Sequence, residues 1–417
     1  MAAPAVSPRT FPTSTPVPAA EPAPGVRWLP LAVAAILTAA ADAYVWATYG
    51  AKPGVLLLLG AALGLALFHS RFGFTSAWRQ LVAVGNGTGL RAHALLLGTT
   101  ATLFALIVGT GTGLFGTTPE ASTGPLGLAL LLGAFLFGTG MQLGGACASG
   151  TLFAVGSGQS AIVLTLGGFV AGSTLYAWQS PAFTGWPTLP AVSLPEHLGW
   201  FGSWAVTIAA LAAVVGVSYL VQRRRTPPPV GVPPTARGAA RIVRGSWPLW
   251  VGALTLAVLG GAVLLVGGSA WGITSAFGLW GSKLAGVLGA HPEHWAYWRA
   301  PENAAKLSGP VLADKTSLTD IGIMLGAAVA AAAGGAWTLH RRVPWRTAVA
   351  AVLGGLLMGV GARLANGCNI GAYLAGIASG SVSGWVWAVA ALAGTWAGLR
   401  LRPLFGLANP KPSDSIC

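Results

Sequence analysis

Apolar runs recur at 55–68, 94–108, 126–137, 162–176, 204–221, 249–266, 321–337, 348–360 and 386–399, separated by short polar segments. Several extend through Gly and Thr to the roughly 20 residues a helix needs to cross a bilayer. With an earlier apolar segment that contains Asp42, they predict nine or ten spans. Composition agrees: 54% of the residues are hydrophobic and 8% charged, too few polar groups to coat a water-soluble particle. The expected fold class is an all-α integral membrane protein.

The polar segments divide the chain. Residues 1–26 are rich in Pro, Ala, Ser and Thr and lack an apolar signal core, which predicts a disordered tail rather than a signal peptide. The basic, Pro-rich stretch 222–244, QRRRTPPPVGVPPTARGAARIVR, reads as a cytoplasmic linker between membrane units at 27–221 and 245–403, with a C-terminal tail at 404–417. A net charge of +14 raises the question of a nucleic-acid partner, but the arginines sit in short loops between apolar runs, as the positive-inside rule requires. No nucleic acid is expected. The loops with Arg71, Arg79 and Arg91, with Arg223, Arg224 and Arg225, with His340 to Arg342 and Arg346, and with Arg400 and Arg402 are assigned to the cytoplasm. Threading the chain between them leaves Glu120, 179–198 and 291–315 outside.

The two units repeat one pattern. Gly133 and Gly354 are 221 positions apart, as are Cys147 and Cys368. At that spacing GAFLFGTGMQLGGACASGTLFA and GGLLMGVGARLANGCNIGAYLA also share Leu136/Leu357, Gly138/Gly359, Gly140/Gly361, Leu143/Leu364, Gly150/Gly371 and Ala154/Ala375. Upstream of each cysteine lies a second matched element, Gly73-Phe-Thr-Ser-Ala-Trp78 and Gly272-Ile-Thr-Ser-Ala-Phe277. The loop assignment puts Thr75 toward the cytoplasm and Thr274 toward the exterior, so the expectation is two inverted repeats, a construction typical of secondary transporters.

Glycines crowd both cysteines, in Gly144-Gly145-Ala146-Cys147-Ala148-Ser149-Gly150 and Asn366-Gly367-Cys368-Asn369-Ile370-Gly371. Each Gly costs a continuous helix about 1 kcal/mol relative to Ala, so a break and a re-entrant half-helix are expected at each. A broken helix offers free N–H groups and a positive dipole end to an anion. A thiol beside them is a soft donor, better matched to sulfur than to a hard oxyanion. Cys147 and Cys368 therefore point to a sulfur-bearing anion, against the plainer reading of small buried residues. No cofactor is implied, and the three cysteines have neither zinc nor dithiol spacing.

Neighbouring polar residues complete the candidate site. Arg363, inside an apolar run, either meets anion charge, snorkels, or pairs with a carboxylate; Gln142 is its aligned counterpart. Ser149, Asn366 and Asn369, with Gly145 and Gly367 beside them, are ligands or caps of the broken helices. Thr75 and Thr274 are ligands or satisfy backbone. Asp42 is a proton or cation site, or a residue near the membrane face. His291, Glu293 and His294 read as a solvated loop, Trp280, Trp295 and Trp298 as an interfacial belt, and Cys417 as incidental.

GMQLGGACASGTL and GARLANGCNIGAYLAG resemble the paired signatures of the YeeE/YedE family of membrane transporters, and Arg71-Phe-Gly-Phe-Thr-Ser-Ala-Trp-Arg79 resembles a further family element. The resemblance, which runs from about Arg27 to Pro403, implies uptake of thiosulfate or a related sulfur or selenium anion across a prokaryotic plasma (inner) membrane. It implies cysteine thiols that pass the anion along, and a small cytoplasmic TusA-like sulfurtransferase as partner. Thr75 stands where the family's thiosulfate members carry a cysteine. A membrane thiol enzyme or a sulfur-relay subunit is the alternative reading.

Overall fold

The computed structural model describes residues 24–227, 236, 238–339 and 342–411. Most of the expected N-terminal tail, part of the linker, His340, Arg341 and Cys417 lie outside the described residues. The first part of the chain forms helices α1 (Trp28–Tyr49), α2 (Ala51–Ser70), α3 (Phe74–Val84), α4 (Thr88–Thr110), α5 (Leu128–Gly144), α6 (Ala148–Gly156), α7 (Ser160–Gln179) and α8 (Leu194–Arg225). The second forms α9 (Ala240–Arg244), α10 (Leu249–Gly267), α11 (Thr274–Val287), α12 (Ala296–Arg299), α13 (Pro301–Ser308), α14 (Lys315–Ala333) and α15 (Trp345–Leu364). A wide π-type turn (Asn369–Leu374) then runs into α16 (Ala375–Ala378), and α17 (Val382–Leu401) ends the bundle. The only strands among the described residues are two-residue pieces, Leu126–Gly127 against Thr188–Leu189.

Ten segments among the described residues are long and apolar enough to span a bilayer. Each of the nine apolar runs overlaps one of them, and α1 supplies the tenth. Leu29, Ile36, Leu106, Leu131, Val206, Leu220, Val258 and Val389 are exposed on the outer surface, as a lipid-facing wall requires. The protein is an all-α integral membrane protein.

Lipid tails are as apolar as leucine, so helices in a membrane associate through close packing rather than hydrophobic exclusion. Glycine permits that packing here. Helices α7, α15, α5 and α17 form a layer whose central pair is antiparallel: a Cβ on Gly133 would lie 2.6 Å from the Gly361 carbonyl oxygen, and one on Gly140 would lie 2.6 Å from that of Gly354. The flanking pairs are parallel, with Gly168 on Val352 and Gly172 on Leu356 on one side, and Gly138 on Ala391 and Gly398 on Thr139 on the other. A third parallel pair, α2 with α14, meets at Gly60 on Thr319 and Gly64 on Ile323. An aromatic chain crosses the layer from α3 to α11: Trp78, Trp387, Phe137, Phe169 and Phe277 follow one another with ring centroids 4.8 to 6.1 Å apart.

Many of the arginines meet at one end of the bundle. Arg225 packs on Gly85, Arg91 donates to Gln222 and Ser218, Arg402 donates to the Gln142 carbonyl, and Arg71 and Arg342 line one cavity. The interfacial belt expected of the tryptophans takes another form. Trp298 is buried against α11 and donates to Ser282, and Trp280, on α11 itself, donates to Ser317 of α14, because each indole N–H needs a partner.

Gly140→Leu or Gly354→Leu is expected to destabilise the protein by about 1–3 kcal/mol or more, because the side chain would enter a neighbouring backbone. Gly260→Ala, with nothing within 4 Å of the added carbon, should be neutral. Thermal loss of the monodisperse peak in detergent measures both.

Candidate functional site

Both cysteines stand at broken helices. Helix α5 ends at Gly144, Gly145 turns the chain with φ +84°, and Cys147 is the N-cap of the nine-residue α6. Helix α15 ends at Leu364, Asn366 and Gly367 both take positive φ, and Cys368 is the N-cap of the π-type turn. Gly367 has φ +148°, and a Cβ there would lie 2.7 Å from the Ala372 nitrogen, so only glycine lets this turn close. The breaks fall where the glycine clusters predict them.

Each cysteine is 1% exposed and neither is in a disulfide. The Cys147 sulfur is 3.5 Å from the Ser149 hydroxyl, and the Cys147 carbonyl accepts from both the backbone and the hydroxyl of Thr151. Residues 148–150 precede that first helical bond, so their N–H groups are the orphan donors of α6. The Cys368 sulfur accepts from the Ile370 N–H at 3.4 Å, and its carbonyl accepts from Ala372 and Tyr373. Asn369, 1% exposed, has no partner for either amide atom. Buried polar groups are ordinarily hydrogen-bonded, so an unpaired amide beside a thiol marks unfilled bonding capacity.

Aromatic rings wall this region. Tyr373 stacks on Trp387 at 6.1 Å and meets Phe74 and Trp78 edge-on at 6.0 and 5.6 Å. Through Phe74 and Trp78 the wall reaches α3, which carries Thr75. Its hydroxyl is also buried and unpartnered, whereas its carbonyl accepts from the Gln142 amide at 3.3 Å. Gln142 in turn accepts from Arg79 at 3.0 Å. Both ends of Gln142 thus hold α3 against α5.

Other candidates lie apart. Arg363 donates to the Tyr297 hydroxyl and sits over the Tyr297 ring at 4.9 Å and the Tyr176 ring at 6.0 Å. It meets aromatic faces and a hydroxyl, and no carboxylate. Asn366 is exposed and lines a small cavity with Ser122, Gly124 and Ser383 next to the π-type turn. Thr274 is buried at the start of α11, where its neighbour Ser275 donates to Thr316 at 3.0 Å. His291 Nδ1 and Glu293 Oε1 lie 3.0 Å apart on the surface, and among the described residues no group of three His, Cys, Asp or Glu can hold a metal ion.

Two features escaped the sequence reading. Asp320 is completely buried with no partner for either oxygen. It stands one position before the apolar run at 321–337. A cavity of ≈ 450 Å³, lined by Arg71, Ser76, Gln80, Asn86, His93 and Arg241, opens beside the start of α3 at the arginine-rich end. A roomier groove of ≈ 870 Å³ between α7 and α11 is lined by apolar residues such as Val163, Leu166 and Leu284, as a lipid-facing cleft would be.

Comparison with known proteins covers nearly all of this architecture. A thiosulfate transporter, TsuA, of Spirochaeta thermophila is 28% identical over 357 residues, 82% of this chain and 96% of that protein. TsuA of Escherichia coli strain K12 is 28% identical over 352 residues, 82% of this chain and 92% of its own length. A probable transporter, YedE, of Escherichia coli is 35% identical over 145 residues, 33% of this chain and 34% of that protein. The profile of the Sulphur transport family matches residues 69–397, a stretch that takes in both cysteine turns, α3 and α11, and so the chain belongs to the YeeE/YedE family of sulphur-transport membrane proteins.

Proposed function

We propose that the protein imports thiosulfate or a closely related sulfur-containing anion, with Cys147 and Cys368 as successive contacts near the membrane midplane. The observation that carries this reading is the pair of buried free thiols, each the N-cap of a broken helix, with the unpaired Asn369 amide beside one and Ser149 beside the other. The relatives named thiosulfate transporters support the same substrate class. In this reading the anion's terminal sulfur accepts from a neutral thiol. A thiolate would repel it. The oxygens take the Asn369 amide and the free N–H groups of α6.

The two units act as inverted repeats. Exchanging them by the 221-residue spacing turns the Gly133–Gly361 contact into Gly354–Gly140, and both occur in an antiparallel pair. An axis in the membrane plane would have that effect. The arginine-rich end is cytoplasmic by the positive-inside rule, with the linker and C-terminus, in a prokaryotic plasma membrane. The route then runs from the cavity at Asn366, past Cys368 and Cys147, to Thr75 and out through the ≈ 450 Å³ vestibule. Arg71 and Arg241 at that mouth would draw the anion inward and offer a basic surface to a small TusA-like sulfurtransferase. Transport by neutral donors calls for no catalytic group, so we read the protein as a transporter rather than an enzyme.

Uptake of radiolabelled thiosulfate by proteoliposomes tests the proposal. Cys147→Ala and Cys368→Ala should each lose roughly 10- to 100-fold in uptake, the worth of one hydrogen bond to a charged group. Undiminished uptake by the double variant would sink the thiol mechanism. At Thr75 the same assay should show Thr75→Val slower by about 2- to 10-fold, one neutral hydrogen bond. Thr75→Cys should match or exceed the natural protein; inactivity of the Cys variant would remove position 75 from the route.

A further inference from the structure

Asp320 is the only fully buried acidic side chain among the described residues. Its helix begins earlier than hydropathy implies because Asp314 caps α14, accepting from the Ser317 N–H and hydroxyl at 2.8 Å each. Asp320 is therefore the sixth residue of a membrane helix. One turn toward the helix start lie Thr316 and Ser317, bonded to Ser275 and Trp280 of α11, and one turn beyond lies Met324, against which Gly156 of α6 packs. The carboxyl group thus occupies the face of α14 that looks onto α11 and α6, within electrostatic reach of Cys368.

Among the described residues no cation answers it. Around α14 pack α1, α2, α6, α9 and α11. Their titratable side chains are Asp42, Tyr44 and Tyr49 on α1, Lys52 and His69 on α2, none on α6 itself, Arg241 and Arg244 on α9, and Lys283 on α11. Cys147 caps α6, and Cys368 and Tyr373 belong to the π-type turn. On α14 itself Asp314 is engaged with Ser317, and Lys315 donates to Ser269 and the Ala270 carbonyl. Lys283 donates to the carbonyls of Leu307 and Gly309. Both Asp320 oxygens remain without a partner. An ionised carboxylate with neither donor nor counter-charge at this depth costs several kcal/mol, so a proton is the simplest partner.

The other unit repeats the position. Gly89 of α4 packs on Ala77 of α3, as Thr316 of α14 bonds to Ser275 of α11, beside the residue that matches Ala77. Counting from there, His93 corresponds to Asp320: it is the sixth residue of α4, 1% exposed, with Nδ1 unpartnered. Each unit buries one titratable group at the same place.

We propose that Asp320 is a proton-carrying site that couples anion import to proton entry. This rests on the transport reading above and adds its driving force: a proton on Asp320 removes the carboxylate charge that would repel the anion while both occupy the protein, and leaves toward the cytoplasm with it. The full chain is reconstituted into liposomes holding a pH-sensitive dye, and radiolabelled thiosulfate and internal pH are followed together. The expected result is that thiosulfate uptake acidifies the lumen, and that an acidic exterior raises accumulation about tenfold per pH unit for each proton carried, the ratio of proton activity that one unit represents. Asp320→Asn should lose thiosulfate-driven proton entry and Asp320→Glu should retain it. Proton entry at the natural ratio in Asp320→Asn would overturn the proposal, as would equal loss in both variants, since shape and not the proton would then matter. Thiosulfate uptake without proton movement in the unaltered protein overturns the proton site alone. Absence of uptake under any gradient removes the transport reading as well.

Discussion

A helix interrupted inside a membrane exposes N–H and C=O groups that lipid cannot satisfy, and every other feature of this protein answers to that constraint. The breaks at 145–147 and 365–368 survive because the interrupted ends are enclosed by other helices, with both cysteines buried. Enclosure needs short distances between helix axes, and those distances need residues without side chains. Glycines at the α5–α15 crossing and along its two flanking pairs meet the need, backbone against backbone. The aromatic chain from Trp78 to Phe277 then fills the space that the glycines leave between the layer and the short helices. Two defects in regular structure are thus supported by the most regular packing in the molecule.

What the enclosure holds is polar but without a fixed positive charge. Arg363 is turned to Tyr297 and Tyr176, Arg402 to the Gln142 and Ala408 carbonyls, and Lys315 to the loop before α11. Around the cysteines remain thiols, hydroxyls, one amide and helix N-termini. A guanidinium in that position would bind a dianion strongly and release it slowly, whereas partial charges let an anion leave as readily as it enters. Arg71 and Arg241 line the cavity at the bundle end instead, where water screens their charge.

Much of this was legible in the sequence because its signals are local. Hydropathy gave the spans, since burial in lipid is a property of each segment alone. The matched cysteines and their glycines marked the breaks, since a positive φ such as that of Gly145 excludes most other residues. Partner choice was not legible. Arg363 left three fates open, and the Tyr297 that receives it comes from the short helix α12, 66 positions away. Gln142, expected at the substrate, is occupied in fixing α3 through the Thr75 carbonyl and Arg79. Asp320 was missed because a cap by Asp314 extends α14 outward, so that hydropathy placed the membrane boundary on the wrong side of the acid.

Comparing the two units shows which positions duplication left free to differ. The cysteines and their glycines match, and each cysteine caps the short element that follows its break. Gln142 and Arg363 differ in charge, yet each tethers its helix to a neighbouring element, one to α3 and the other to Tyr297 of α12. His93 and Asp320 differ in the sign of the charge they would carry, and each is buried with polar atoms that lack a hydrogen-bond partner. Packing does not account for them, because an apolar side chain of similar volume would fill either place at lower cost. A group kept at such expense is kept for a state in which it has a partner. For an acid beside an anion route, the smallest such partner is a proton.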